Sequence, residues 1–127
     1  MTLHELARGA ASRDLDLRAV RCLLVLSEER HYGRAAERLH MSQPGLSRTI
    51  AVLEARVGAS LVVRSARPVR LTRAGDVLVQ HGLRLLAEQQ AAFEDLAAAA
   101  ERPQPADSSV VEANDGPPDS AAEQLAS

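Results

Sequence analysis

Residues 34–64, RAAERLHMSQPGLSRTIAVLEARVGASLVVR, constrain the fold of this chain more than any other stretch. Two short amphipathic segments flank a tight polar turn, and the second carries its polar residues at its front end. In the second segment, Leu46, Ile50, Leu53 and Val57 follow at spacings of four, three and four residues, the repeat of a helix buried along one side. Ser42 is placed to cap this helix. Pro44 falls in its first turn, where a missing N–H has no partner to lose, and Gly58 stands where a helix ends. The first segment predicts a helix from about Tyr32 to Leu39, with Ala35, Ala36 and Leu39 inward and His40 and Met41 forming the turn.

The flanking sequence extends this unit. Asp16 can cap a helix over about Leu17 to Glu29, whose positions Leu17, Val20, Leu23, Leu24 and Ser27 recur at helical spacing, widened by Val25 and Leu26. After Gly58 the pattern becomes β-branched. Leu61 to Arg64 and Val69 to Leu71 predict two strands of a small hairpin, or wing, turning at 65–68 with Pro68 at its edge. The only aromatic residues are Tyr32 and Phe93, so the core must be built from Leu, Val, Ile and Ala. Cys22, the single cysteine, lies on an apolar helical stripe and reads as a small core residue, with no redox or metal role.

Thr72 can cap a long helix from Arg73 to about residue 101, with Gly75 a mild weakness near its start. Leu78, Gly82, Leu85, Gln89, Phe93 and Leu96 step along one face of it, approximating a coiled-coil seam that predicts dimerisation. A monomer with this helix folded back on the core is the alternative. Residues 102–127 hold four of the six prolines, many small residues and a one-sided acidic charge, and read as a disordered acidic tail. The division is therefore 1–15 as a flexible extension, 16–72 as a mostly α winged helix-turn-helix, 73–101 as a linker and dimerisation helix, and 102–127 as tail.

The net charge of -2 conceals a separation. Nine arginines oppose two acids between Arg30 and Arg73, whereas two arginines oppose ten acids from Ala74 onward. A basic middle third inside a helix-turn-helix pattern points to nucleic acid. The front of a recognition helix enters the DNA major groove, and here it presents Ser42, Gln43, Ser47 and Arg48, with the small Pro44 allowing close approach. Gln43 suits an adenine edge, and Arg48 suits guanine or phosphate. Ser42 is expected at the cap and on phosphate. Arg30 and Arg34 are placed for phosphate, and Arg64, Arg67 and Arg70 for the wing, with Arg67 at its tip nearest a minor groove. His31, His40 and His81 read as packing or turn residues. No paired acids, nucleophile–base set or phosphate loop marks an enzyme, and no cofactor or metal site is expected. No apolar run is long enough for a membrane span and no secretory signal opens the chain, so the expected location is cytoplasmic.

From Asp16 to about Ala100 the chain resembles the N-terminal domain of LysR-type transcriptional regulators. The likeness is strongest over residues 34–64 quoted above and over RPVRLTRAG at 67–75. It implies a winged helix-turn-helix on double-stranded DNA and a linker helix that pairs subunits, as a homodimer or as a heterodimer with related regulators. Ser42, Gln43, Ser47 and Arg48 match the family's DNA-facing positions. Arg64, Arg67, Pro68 and Arg70 match its wing, and Thr72 and Gly75 the entry to its linker helix. The alternative is a protein-interaction module that heterodimerises with full-length relatives without binding DNA productively. Cys22 and Leu23 stand where the family usually has aromatics, Val62 where a wing phenylalanine is usual, and Gly45 where proline or alanine is common. Nothing after Ala100 resembles the family's effector-binding domain, so no small-molecule effector site is expected on these residues.

Overall fold

The computed structural model describes residues 1–10 and 14–101, so the expectation for the acidic tail lies outside the described residues. Among the described residues five helices follow in order: α1 (Leu3–Ala10), α2 (Leu17–Glu29), α3 (Tyr32–Arg38), α4 (Gln43–Val57) and α5 (Arg73–Glu101). The first lies inside the segment expected to be a flexible extension. Thr2 and Glu5 form a reciprocal capping box: the Thr2 Oγ1 accepts from the Glu5 N–H at 3.1 Å, and Glu5 Oε1 from the Thr2 N–H at 3.4 Å.

The predicted caps of α2, α4 and α5 form. An Asp16 carboxylate oxygen accepts from the Arg18 N–H at 2.9 Å, Ser42 Oγ from the Gly45 N–H at 3.0 Å, and Thr72 Oγ1 from the Gly75 N–H at 3.0 Å. Two helices end where the sequence placed their ends, but without glycine. Arg30, at φ 57°, closes α2 in the left-handed region, and His40, at φ 55°, makes the turn after α3. Both are positions where glycine would be less costly. His31 caps α3, its Nδ1 accepting from the Arg34 N–H at 3.1 Å, which gives this histidine a turn role.

The core is aliphatic, as composition required. Val20, Leu23, Leu26, Ala35, Leu46 and Ile50 are completely buried, and Leu53, Leu61, Val62 and Val69 nearly so. They join α2, α3 and α4 into a three-helix cluster with the wing closing one side. Cys22 is buried, its Sγ 3.8 Å from Met41 Sδ. Burial is the main cause that pushes its thiol pKa up, which leaves it a poor nucleophile.

The wing is less regular than expected. In place of two strands there is one antiparallel bridge, Val62 to Leu71, supported by the Val63 N–H on the Arg70 carbonyl at 2.9 Å. Pro68, joined to Arg67 by a cis peptide, has no N–H to offer a ladder, and the Val69 N–H is spent on the Arg30 carbonyl at 2.9 Å. The returning limb is therefore tied to the end of α2 as much as to its own partner.

Within residues 1–90, one of the two compact units of the chain, α5 rests on α2. A Cβ at Gly82 would stand 2.6 Å from Val20 Cγ1 and 3.0 Å from Leu24 Cδ1, and Leu78 packs against the core. Gly82 and Leu78, two members of the expected dimer seam, thus face their own chain. Leu85, Phe93 and Leu96 are exposed, and Gln89 is half-buried.

Candidate nucleic-acid interface

The exposed face of α4 is assembled by its own register. With Leu46, Ile50 and Leu53 held in the core, Pro44, Ser47, Arg48, Ala51, Val52 and Ala55 must point outward, and all six are exposed. Gln43 and Ser42 are exposed at the front. A groove of about 500 Å³ opens between this front and the wing, lined by Tyr32, Gln43, Pro44, Ser47, Arg64 and Arg67. A second, of about 390 Å³, continues past the start of α3 and includes Arg30, His31, Arg34, Gln43, Arg67 and Pro68. Thus Gln43, Pro44, Ser47, Arg64 and Arg67 converge on one groove, and Arg30 and Arg34 join Gln43 and Arg67 on the next. Arg48 stands on the other flank of α4, beside Asp16, Ala19 and Val52. Arg70 is exposed outside these grooves.

The arginines differ in how free they are. The side chains of Arg48 and Arg70 have no hydrogen-bond or ion-pair partner among the described residues. Arg67 folds its Nη1 back onto the Ala66 and Arg64 carbonyls at 2.7 and 3.2 Å, bracing the wing turn while its side chain stays exposed. Arg30 Nε reaches the Val69 carbonyl at 3.4 Å. Arg34 is already engaged, with Nε 3.3 Å from a Glu29 carboxylate oxygen and Nη2 3.1 Å from the Glu29 carbonyl. Arg38 pairs with Glu28 and Glu29 at 2.9 and 3.1 Å. The hydrogen bond from Arg38, more than that from Arg34, holds the Glu29 carboxyl below the usual carboxylate range.

Three residues of this face escaped sequence reading. Glu54 lies on the inner side of α4 and is 9% exposed. Its Oε2 accepts from the Leu61 and Val62 N–H groups at 2.7 and 3.3 Å, and its Oε1 from Arg64 Nη2 at 2.6 Å. One carboxylate thereby ties the recognition helix to the first limb of the wing and fixes Arg64 at the groove wall, so Arg64 is not the unencumbered wing cation that the sequence suggested. Gly33 is the second. A Cβ there would stand 2.9 Å from the His31 ring, so its bare α-carbon leaves room for the ring that caps α3 beside Gln43. Tyr32, half-buried at the floor of the groove, is the third. Gly45 gains a reason as well. A Cβ at that position would approach Ser42 Oγ to 2.9 Å, crowding the cap.

Among the described residues no group of three or more His, Cys, Asp or Glu side chains could hold a metal ion, and no helix is long and apolar enough to cross a membrane.

This arrangement recurs in known proteins. The bacterial regulatory helix-turn-helix protein model of the lysR family matches residues 17–76. XapR, an HTH-type transcriptional regulator of Escherichia coli, is 49% identical over 71 residues, which are 56% of this chain and 24% of XapR. The chain thus spans about a quarter of that relative's length. The BenM DNA-binding domain, solved in complex with catB site 1 DNA, superposes with a TM-score of 0.67 at 31% identity, over 70% of this chain and 99% of that domain. The CbnR DNA-binding domain, solved with DNA, gives 0.64 at 32% identity, over 68% and 99%. With its fold and sequence matching along nearly the whole of these domains, the chain belongs to the LysR family of bacterial helix-turn-helix regulators.

Proposed function

We propose that this chain binds double-stranded DNA in a sequence-preferring manner as a dimer and thereby regulates transcription. The observation that carries the reading is the exposed front of α4, Gln43, Pro44, Ser47 and the unpartnered Arg48, standing beside a groove whose far wall is the arginine-bearing wing. Small and planar polar side chains at the front of a helix read base edges, while arginines beside it meet phosphate. Relatives solved on DNA with the same fold support it.

Dimerisation is assigned to the exposed apolar residues of α5. Leu83 and Leu85 are exposed in residues 1–90; Phe93 and Leu96, in the unit that begins at Ala91, are 63% and 64% exposed. A second copy of α5 or the same helix of a related regulator would cover them. Two paired recognition helices would then sit about 34 Å apart or a multiple of that, on one face of the duplex. Changing Phe93 and Leu96 together to glutamate is expected to give monomers in sedimentation velocity and to weaken binding to a two-half-site duplex about a hundredfold, because the linked second contact is lost. A double variant that remains dimeric would remove this assignment.

Selection from a randomised duplex pool with the purified chain, followed by fluorescence anisotropy at two salt concentrations, tests the reading directly. Affinity is expected to fall steeply with salt. Arg48→Ala should weaken binding by about 1–3 kcal/mol, chiefly at one base position. Arg67→Ala should weaken all sequences alike and lower the log–log salt slope by about 0.9. Wild-type affinity in both variants would reject this face as the DNA surface.

A further inference from the structure

Tyr32 occupies a position that the reading above leaves without a task. It is the first residue of α3 and borders both grooves, with Gln43 on one side and Arg64 and Arg67 on the other. It is half-buried among chemically demanding neighbours. Burial is the main influence on its phenol and raises the pKa, and Arg64, Glu54 and Arg67 are the charged groups that also act on it. No hydrogen bond to that hydroxyl occurs among the described residues. A phenol is normally partnered when it is withdrawn from water.

A helix lying in the major groove and a wing reaching the neighbouring minor groove must bracket the one backbone strand that separates them. The groove between α4 and the wing is where that strand would run, and Tyr32 is its floor. We infer that the Tyr32 phenol donates a hydrogen bond to a backbone phosphate of this bracketed strand, supplying an uncharged contact between the contributions of α4 and the wing. The inference rests on the DNA-binding reading and adds a register-fixing contact to it. A neutral donor releases no counterion of its own, so its signature differs from that of every arginine nearby.

The test is Tyr32→Phe, which keeps the ring and removes only the hydroxyl. On a duplex recovered by selection, the variant is expected to bind about threefold to tenfold more weakly, as for the loss of one hydrogen bond. Its salt slope and its thermal melting should match wild type. A methylphosphonate at the bracketed phosphate should weaken wild type more than it weakens Tyr32→Phe, since only wild type loses the phenol contact along with the arginines' charge partner. Equal affinity of Tyr32→Phe and wild type would overturn the inference. So would a loss confined to one base pair, which would make the phenol a base reader, or a lowered salt slope. Failure of the wild-type chain to bind any duplex would overturn the DNA reading itself, a result distinct from all of these.

Discussion

Replacing Glu54 with alanine is expected to lower the melting temperature of the helix-turn-helix unit by roughly 10–25 °C, from a loss of about 2–4 kcal/mol. The effect comes from what is left behind. The Leu61 and Val62 N–H groups both point at Glu54 Oε2, and both residues are almost wholly buried. Without the carboxylate, two backbone donors lose their acceptor in a place that water reaches poorly, at about 1–3 kcal/mol for each unsatisfied group. The ion pair with Arg64 adds less, because the Arg64 side chain is 62% exposed and water screens it. Glu54→Gln retains an oxygen for the backbone donors and should fall between alanine and wild type. Hydrogen exchange at Leu61 and Val62 is the local readout: both amides should lose protection before those of α2. A Glu54→Ala protein melting within about 2 °C of wild type would show that the wing is held by other contacts.

Gly75→Ala is expected to destabilise the same unit by about 2–3 kcal/mol, against the direction that helix propensity alone gives. In an exposed helix, alanine is favoured over glycine by about 1 kcal/mol. Here a Cβ would fall 2.2 Å from the Leu61 carbonyl oxygen and 3.0 Å from Leu71 Cβ. The first obstacle is backbone, which cannot rotate aside, so either the start of α5 or the wing has to move. Because the two effects have opposite signs, urea denaturation decides between them. A midpoint shifted upward would mean that the helix entry yields freely. Gly82→Ala meets only side chains of Val20 and Leu24 and should cost less.

These two residues also mark where sequence reading stops. The caps at Asp16, Ser42 and Thr72 were legible because the signal is local: a short polar side chain, then a donor two or three residues later. The inward faces of α2, α3 and α4 were legible because burial repeats with the helix turn. Glu54 was not, since its partners lie seven and eight residues away on another element and a glutamate in a helix ordinarily faces water. Gly75 looked like a weak point in a helix because the carbonyl it accommodates belongs to the wing. Gly82 fitted a seam repeat, yet the helix that approaches it is α2 of the same chain. Arg30 and His40 turn in the left-handed region without glycine, so neither helix end carried its usual mark. The Thr2–Glu5 box is present in the sequence, but a single capping signal ahead of eight residues does not by itself predict a helix. Among the site residues, the front of α4 was legible as a set. The engagement of Arg34 by Glu29 and of Arg64 by Glu54 was not, because both are tertiary ion pairs.

The aliphatic character of the core has a spectroscopic consequence. The chain has no tryptophan and a single tyrosine, and that tyrosine lies at the floor of the groove between α4 and the wing. Excited at wavelengths that phenylalanine does not absorb, the native protein therefore emits from one chromophore in one place, with no dye to attach. Polyanion titrations followed by that emission would watch the groove itself fill.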